Sequence, residues 1–87
     1  MFFMSWFVYI AESKFGHYYT GITTDAPQRI VKHNAGKGSQ MGKQQGPFVL
    51  VYKSHPFSTK SEARKREVQI KGWNRNKKKK LINGEWK

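Results

Sequence analysis

The sequence predicts a small mixed domain of the α/β (α+β) class, and three observations support this prediction. Segments rich in aromatic and β-branched residues at 6–11 and 48–52 are typical of strands, and a further strand is expected at 17–22. Residues with the spacing of helix N-caps precede three other segments. The 87 residues suffice for one modest hydrophobic core and are too few for two. We therefore expect a single domain over residues 1–87, with its core at about 5–82.

The first strand places alternate residues on the two faces of the predicted sheet. One face carries Trp6, Val8 and Ile10, and the other carries Phe7, Tyr9 and Ala11. Residues 12–16 have the composition of a short hairpin loop. With that loop, Tyr9 would pair with Tyr19 of the second strand, so that both tyrosines lie on one face.

Helices are predicted at about 26–34, 60–71 and 75–82. Each follows a residue whose side chain can accept a hydrogen bond from an unpaired backbone N–H, and glycines follow the second and third helices. The caps and the closing glycines are Asp25, Thr59, Asn74, Gly72 and Gly84. The glycine-rich segment 36–46 is predicted to be a mobile basic loop. The continuous apolar run at 48–52 predicts a central or well-covered strand.

The charge of the chain indicates a polyanionic partner. Lys and Arg number 17 against 5 Asp and Glu, a formal net charge of +12. The basic residues do not lie opposite a broad apolar face in one long helix, which argues against membrane binding. The chain has no cysteine, and residues 1–11 lack the basic start of a signal sequence. We predict a cytoplasmic, nucleic-acid-binding protein, without a prediction of its oligomeric state.

Several basic side chains are candidates to contact phosphates independently of sequence. They are Lys32, Lys37, Lys71, Arg75, Lys77, Lys78, Lys79 and Lys80. The alternative for the run 77–80 is an ordinary solvated face. Tyr18, Trp73 and Trp86 are candidates to stack on bases, although packing in or beside the core is expected for each.

A tyrosine, an arginine and a histidine converge where the second strand leads into the first helix. Arg29 and His33 are four residues apart, so they project from one helical face, close to the strand that carries Tyr19. The planar guanidinium of Arg29 suits a bidentate contact with phosphate, and the alternative is a surface arginine. A tyrosine phenol titrates near 10, so Tyr9 or Tyr19 would need a nearby cation to act as a base. Core packing is the alternative for both.

Glu67 is the acidic residue in an unusual place, because it lies between Ala63 and Ile70 on the apolar stripe of the second helix. The other four acids fall in the hairpin loop, at helix starts and in the tail, so the converging carboxylates of a two-metal nuclease are not expected. One carboxylate with waters and a substrate phosphate can hold one Mg²⁺. The alternative is a structural carboxylate paired with a buried arginine or a backbone donor.

The order of these motifs resembles the GIY-YIG endonuclease superfamily. Its signature is matched by Phe7-Val8-Tyr9, Tyr19-Thr20-Gly21, Arg29, His33 and Glu67, with Phe7 in place of the glycine of the family name. The closest likeness is to the small stand-alone branch, of which the run 33–38 is typical, and it spans about 5–82. The resemblance implies a small three-stranded antiparallel sheet flanked by helices.

The resemblance also implies divalent-metal-dependent cleavage of DNA, with RNA left open as a substrate and weak sequence specificity expected. Tyr9, Tyr19 and His33 would orient or deprotonate the attacking water, and Arg29 would stabilise the charge of the transition state. Glu67 would hold a single Mg²⁺ or Mn²⁺. The competing hypothesis is a nucleic-acid-binding module that has this fold without catalysis.

Overall fold

The computed structural model describes residues 5–34 and 47–85, apart from the side chain of His33. Its elements are β1 Phe7–Glu12, β2 Tyr18–Thr23, α1 Ala26–Asn34, β3 Val49–Lys53, α2 Lys60–Lys71 and α3 Arg75–Ile82. The predicted α/β class, with three strands and three helices, is confirmed. The loop predicted at 36–46, including Lys37, lies outside the described residues, as does Trp86.

The three strands form an antiparallel sheet in the order β2-β1-β3. Within the described residues β3 is therefore an edge strand, so of the two predicted alternatives, a central or a well-covered strand, the second applies. Apolar clusters cover both of its faces, which explains its continuous apolar run. A register shift opposite Ile10 and Ala11 inserts Val51 as an extra residue. Val51 and Tyr52 consequently pack on one cluster, while Leu50 packs on the other.

The β1–β2 hairpin differs in register from the predicted one. Tyr9 pairs with Gly21 and Ala11 pairs with Tyr19, so the predicted pairing of Tyr9 with Tyr19 is wrong by two residues. A shift of two residues preserves the alternation of side chains between faces. Tyr9 and Tyr19 therefore still lie on one face of the sheet, as predicted.

The hairpin loop explains this register. The loop comprises residues 13–17, one position later than predicted, and Glu12 is the last residue of β1 instead of a loop residue. The Ser13 hydroxyl accepts the backbone N–H of Phe15 at 3.3 Å and of His17 at 3.1 Å, and the Ser13 N–H donates to the His17 carbonyl at 2.9 Å. Gly16 takes a positive φ of 83°. The serine thus closes the loop where sequence composition alone does not place it.

Two apolar clusters lie on opposite faces of the sheet. The first core cluster comprises Val8, Ile10, Ala63, Ile70 and Leu81. The second core cluster comprises Tyr9, Ala11, Ala26 and Phe48. The predicted alternation of β1 between the faces is confirmed for these residues. Since Ala26 belongs to α1, whereas the first cluster draws on α2 and α3, α1 covers one face and the other two helices cover the opposite face.

The helix boundaries follow the local capping signals, and the three predicted helices are confirmed. Asp25 and Thr59 each accept the backbone N–H three residues on at 3.2 Å, and Asn74 accepts the corresponding N–H at 2.9 Å. Gly84 has a positive φ of 81° just beyond α3. Among the described helices, none combines the length and the apolar character that crossing a membrane requires.

Candidate active site

The side chain of Tyr9 lies across the backbone of the neighbouring edge strand. Its cross-strand partner is Gly21, and a Cβ placed on Gly21 would be 2.7 Å from the Tyr9 hydroxyl oxygen and 2.8 Å from the ring carbon that bears it. A side chain at position 21 would therefore displace the phenol. The requirement for glycine was missed from the sequence, although a glycine within a strand is a known signal of close approach.

Arg29 and Glu67 both act electrostatically on the Tyr9 phenol. Burial raises the pKa of Tyr9 above its ordinary value, the Arg29 guanidinium opposes this rise, and the Glu67 carboxylate adds to it. A phenol with a raised pKa keeps its proton at neutral pH. Two of the other predicted site residues are thus within electrostatic reach of Tyr9.

Two helices on opposite faces of the sheet supply the groups that act on Tyr9. Arg29 belongs to α1 on the face of the second core cluster, whereas Glu67 belongs to α2, which packs against β1 and β2 on the opposite face. The Tyr9 phenol lies over Gly21 of β2, which is an edge strand within the described part of the chain. An arginine and a carboxylate from helices on opposite faces therefore act electrostatically on one phenol.

Arg29 is exposed and lines a cleft of about 220 Å³ beside the start of α1. Lys32 lines the same cleft, which places one of the predicted phosphate-binding lysines next to the predicted phosphate-binding arginine. Asp25 also borders the cleft, but its carboxylate caps α1 through the N–H of Gln28. The cleft therefore offers two cationic side chains at a size that suits a phosphate group.

Glu67 is 7% exposed and shares the buried side of α2 with Ala63 and Ile70, which confirms its predicted position on the apolar stripe. Its oxygens lie 3.3 Å from Lys71 Nζ and 3.7 Å from Arg64 Nε, and both cations are mostly exposed. The described partners of Glu67 are thus exposed cations, which differ from the buried arginine or backbone donor of the structural alternative.

The chemistry of these groups fits a single divalent cation held by one carboxylate. Among the described residues, no three His, Asp or Glu side chains converge. Mg²⁺ commonly binds one or two carboxylates together with waters and substrate phosphates. Glu67 provides a carboxylate of that kind, and its two ion-pair partners can move away because their side chains are exposed.

Tyr19 shares the face of Tyr9, two residues before Gly21 on β2. Its ring packs edge-on against Phe48, with the ring centroids 5.3 Å apart and the planes at 82°. Core packing therefore accounts for part of its role. The backbone of His33 lies in α1, but its side chain is outside the described part of the chain.

The described members of the predicted phosphate-binding set lie in different surroundings. Lys32 lies at the Arg29 cleft, and Lys71 pairs with Glu67. Arg75 lies 4.2 Å from the centre of the Tyr18 ring, and Lys77 lies 4.4 Å from the centre of the Trp73 ring. Tyr18 and Trp73 pack against the first core cluster, as expected. Lys78 is half-buried, and Lys79 and Lys80 are exposed on α3.

Comparison with known proteins identifies the same motifs. The GIY-YIG catalytic domain family matches residues 5–80. The chain is 49% identical to the UPF0213 protein of Staphylococcus haemolyticus, over 87% of this chain and 92% of that protein. A UPF0213 protein of Staphylococcus saprophyticus is likewise 49% identical, with the same shares of both chains.

A solved structure shows the same fold. The solution NMR structure of the UPF0213 protein BH0048 from Bacillus halodurans matches with a TM-score of 0.57 and 44% identity, over 92% of this chain and 84% of that chain. The likeness therefore extends over nearly the whole length of both chains, beyond the motifs of the candidate site.

Proposed function

We propose that this chain, which belongs to the GIY-YIG family, is a single-domain endonuclease that hydrolyses phosphodiester bonds in DNA with the help of one divalent cation. Members of the GIY-YIG family are nucleases, and their substrates are nucleic acids. The observation that supports the proposal best is that the Tyr9 phenol, which lies over Gly21 of β2, is acted on electrostatically by both Arg29 and Glu67. Three parts of the proposal need a test: that the substrate is DNA, that cleavage depends on a divalent cation, and that there is one metal site.

Phosphodiester hydrolysis needs an oriented water, stabilisation of charge on the phosphoryl oxygens and protonation of the leaving oxygen. Arg29 would bind two phosphoryl oxygens through its planar guanidinium, which Lys32 supports from the same cleft. Tyr9 carries a proton at neutral pH, so it would orient the water or a phosphate oxygen by a hydrogen bond. Tyr19 and His33 are the further candidates for positioning and activating the water.

Glu67 would hold the divalent cation, Mg²⁺ or Mn²⁺. When bound, the cation supplies positive charge at the scissile phosphate and makes water more acidic. Lys71 and Arg64 neutralise the carboxylate in its absence and would then turn towards phosphate.

DNA is proposed as the substrate because the net charge of +12 favours a polyanion and offers contacts that do not depend on base sequence. Side chains that reach phosphates position a protein on the duplex without reading bases. We therefore expect weak sequence specificity.

The test is incubation of the purified protein with supercoiled, linear, branched and single-stranded DNA, each with Mg²⁺, with Mn²⁺ or with EDTA. Strand breaks with either cation and intact DNA in EDTA are the expected result. A parallel reaction with RNA of the same length separates the two nucleic acids. Binding to all of these substrates without a break in any would instead indicate a binding module with the nuclease fold.

A further inference from the structure

A second cleft lies beside β3, away from the edge that carries the candidate active site. It has a volume of about 450 Å³ and shares no lining residue with the Arg29 cleft. Aromatic side chains dominate it, and its lining includes Tyr52, Ser54, His55, Phe57, Arg66 and Leu81. We call it the β3 cleft. Its size falls within the range of sites that bind small molecules and cofactors.

The walls of the β3 cleft are flat rings. The rings of His55 and Phe57 are in contact, with centroids 4.7 Å apart and planes at 43°, and Tyr52 supplies a third ring. Leu81, from the first core cluster, adds an aliphatic surface. A planar, partly apolar group fits such walls by stacking, since every nucleobase presents two π faces.

The wall at residues 54–57 is tied to β1 and is therefore preformed. Ser54 Oγ accepts the backbone N–H of Val8 at 2.9 Å and donates to the carbonyl of His55 at 2.8 Å. Phe57 and Trp6 exchange two backbone hydrogen bonds, of 2.9 and 2.7 Å. A preformed wall loses little conformational freedom on binding, which favours affinity for a small rigid group.

Positive charge lies at one side of the cleft and none of its lining residues is acidic. The guanidinium of Arg66 lies 5.0 Å from the centre of the Trp73 ring, and Lys77 lies 4.4 Å from the same ring. Arg66 also donates to Gln69 at 2.6 Å. An arginine thus lines the cleft, and a second cation lies against the same tryptophan. Phosphate is the group that this charge complements.

We propose that the β3 cleft receives one unpaired base of a single-stranded nucleic acid, with the adjoining phosphate at Arg66. Bases within a duplex are stacked and paired, so only an unpaired or extruded base can enter a cleft of this kind. The inference takes from the proposed function only the nucleic-acid ligand, and it requires no cleavage. A protein that cuts at one sheet edge would then hold a single-stranded segment on the other side of the sheet.

The test compares two single strands that differ only in their bases. Fluorescence anisotropy in EDTA measures the binding of a labelled thymidylate strand of about 12 nucleotides and of a strand of the same length made of abasic sites. The unsubstituted protein should bind the abasic strand roughly 10-fold more weakly, the loss expected for one stacked base. The ratio should fall to about 2-fold in His55→Ala, whose side chain is exposed, and stay near 10-fold in His17→Ala, the matched control. Equal binding of the two strands, or a ratio unchanged by His55→Ala, would overturn the proposal.

A second measurement locates the base without a variant. Titration of the ¹⁵N-labelled protein with thymidine 5′-monophosphate should shift amide signals of residues 52–57 and 81–84 most strongly. Shifts centred on α1 and β2 would overturn the assignment of the base to the β3 cleft. Equal affinity for single strands with and without bases would overturn this inference alone. Binding that depends on the bases, without cleavage of any substrate, would overturn only the proposed nuclease activity. A protein that binds no strand contradicts both.

Discussion

Tyr9 and Tyr52 have similar surroundings on the two sides of the sheet, but only Tyr9 belongs to the candidate catalytic site. Burial raises the pKa of both phenols, and an arginine opposes the rise in each case, Arg29 for Tyr9 and Arg66 for Tyr52. Glu67 acts on Tyr9 in addition. A phenol with an arginine can hold phosphate, whereas hydrolysis also needs a group that binds a metal or activates water. The proposed cleavage therefore needs the side of the sheet with Glu67, whereas the proposed binding of a base needs only a phenol and an arginine.

The backbone beside each tyrosine differs as well. Tyr9 is paired with Gly21, and its phenol lies against the backbone of that glycine. Tyr52 is paired with Ile10, which is fully buried, and packs against the first core cluster. The absence of a side chain at position 21 thus makes room for the buried phenol of Tyr9, whereas Tyr52 is only partly buried and borders the β3 cleft.

The largest effect is expected from Glu67→Gln, which preserves shape and removes the charge that distinguishes the two sides. Metal-dependent cleavage should fall by about 10²–10³-fold, and DNA binding should persist. The melting temperature should change little, because the partners of Glu67 are exposed cations. Glu62→Gln, an exposed carboxylate of the same helix, is the control and should cleave normally. A loss of about 3–5 kcal/mol in stability beside intact cleavage would support a structural carboxylate instead.

Tyr9→Phe tests whether the hydroxyl at the β2 edge acts in the chemistry. The ring is retained, so the stability should remain close to that of the unsubstituted protein, while single-turnover cleavage should slow by about 10²-fold. Tyr19→Phe should have a smaller effect, because the Tyr19 ring packs on Phe48. Unchanged rates in both variants would show that the two tyrosines are structural.

Gly21→Ala should disturb the same site through the backbone. The new Cβ would meet the Tyr9 ring at 2.7–2.9 Å, so the ring must move, at a cost of about 1–3 kcal/mol in unfolding free energy. Cleavage should fall to a similar extent as in Tyr9→Phe. Gly72→Ala is the matched control, since its Cβ would have contacts of 3.5 Å or longer and its φ of −79° suits any residue. If the two variants have the same free energy of unfolding in urea and the same cleavage rate, the close approach between Gly21 and Tyr9 does not contribute to the site.

The exposed lysines of α3 should affect binding without affecting the chemical step. Replacing Lys79 and Lys80 with Gln should weaken binding to unrelated DNA sequences alike and reduce the slope of log K against log salt by about 2. Single-turnover cleavage at saturating protein should be unchanged. Fluorescence titrations at several salt concentrations measure the slope, and the parental slope in the double variant would remove these lysines from the phosphate-contacting surface.

The smallest effect concerns stability at alkaline pH. A tyrosine whose folded pKa is raised keeps a proton that the unfolded chain loses, so its contribution to stability is present below about pH 10 and is lost as the pH rises further. Tyr52→Phe and Tyr9→Phe should each reduce the loss of stability between about pH 9 and about pH 11. Urea unfolding at both pH values measures the difference, and equal slopes in all three proteins would contradict it.

The position of the functional residues could be predicted only in part. The motif order identified Tyr9, Arg29 and Glu67, and the helical spacing placed Glu67 with Ala63 and Ile70 on a buried stripe, as observed. The sequence patterns did not reveal that Arg64 and Lys71 pair with Glu67, or that Gly21 makes room for Tyr9. These contacts depend on side-chain positions that spacing along the chain does not determine.

Local interactions explain which features the sequence determined by itself. A helix cap joins residues three apart, so Asp25, Thr59 and Asn74 set the starts of α1, α2 and α3 without help from the rest of the chain. Alternation along a strand likewise assigned the residues of β1 to two faces, because successive side chains point in opposite directions.

The tertiary structure decided register, strand order and the site itself. The hydrogen bonds of Ser13 set a hairpin register that differs from the predicted one by two residues. A bulge in β3 opposite Ile10 distributes its consecutive apolar residues between the two core clusters. Arg29 and Glu67 act on the phenol of Tyr9 only because helices on opposite faces pack on the same sheet. Contacts between residues far apart in sequence depend on how the elements pack, and packing is settled by the whole chain at once.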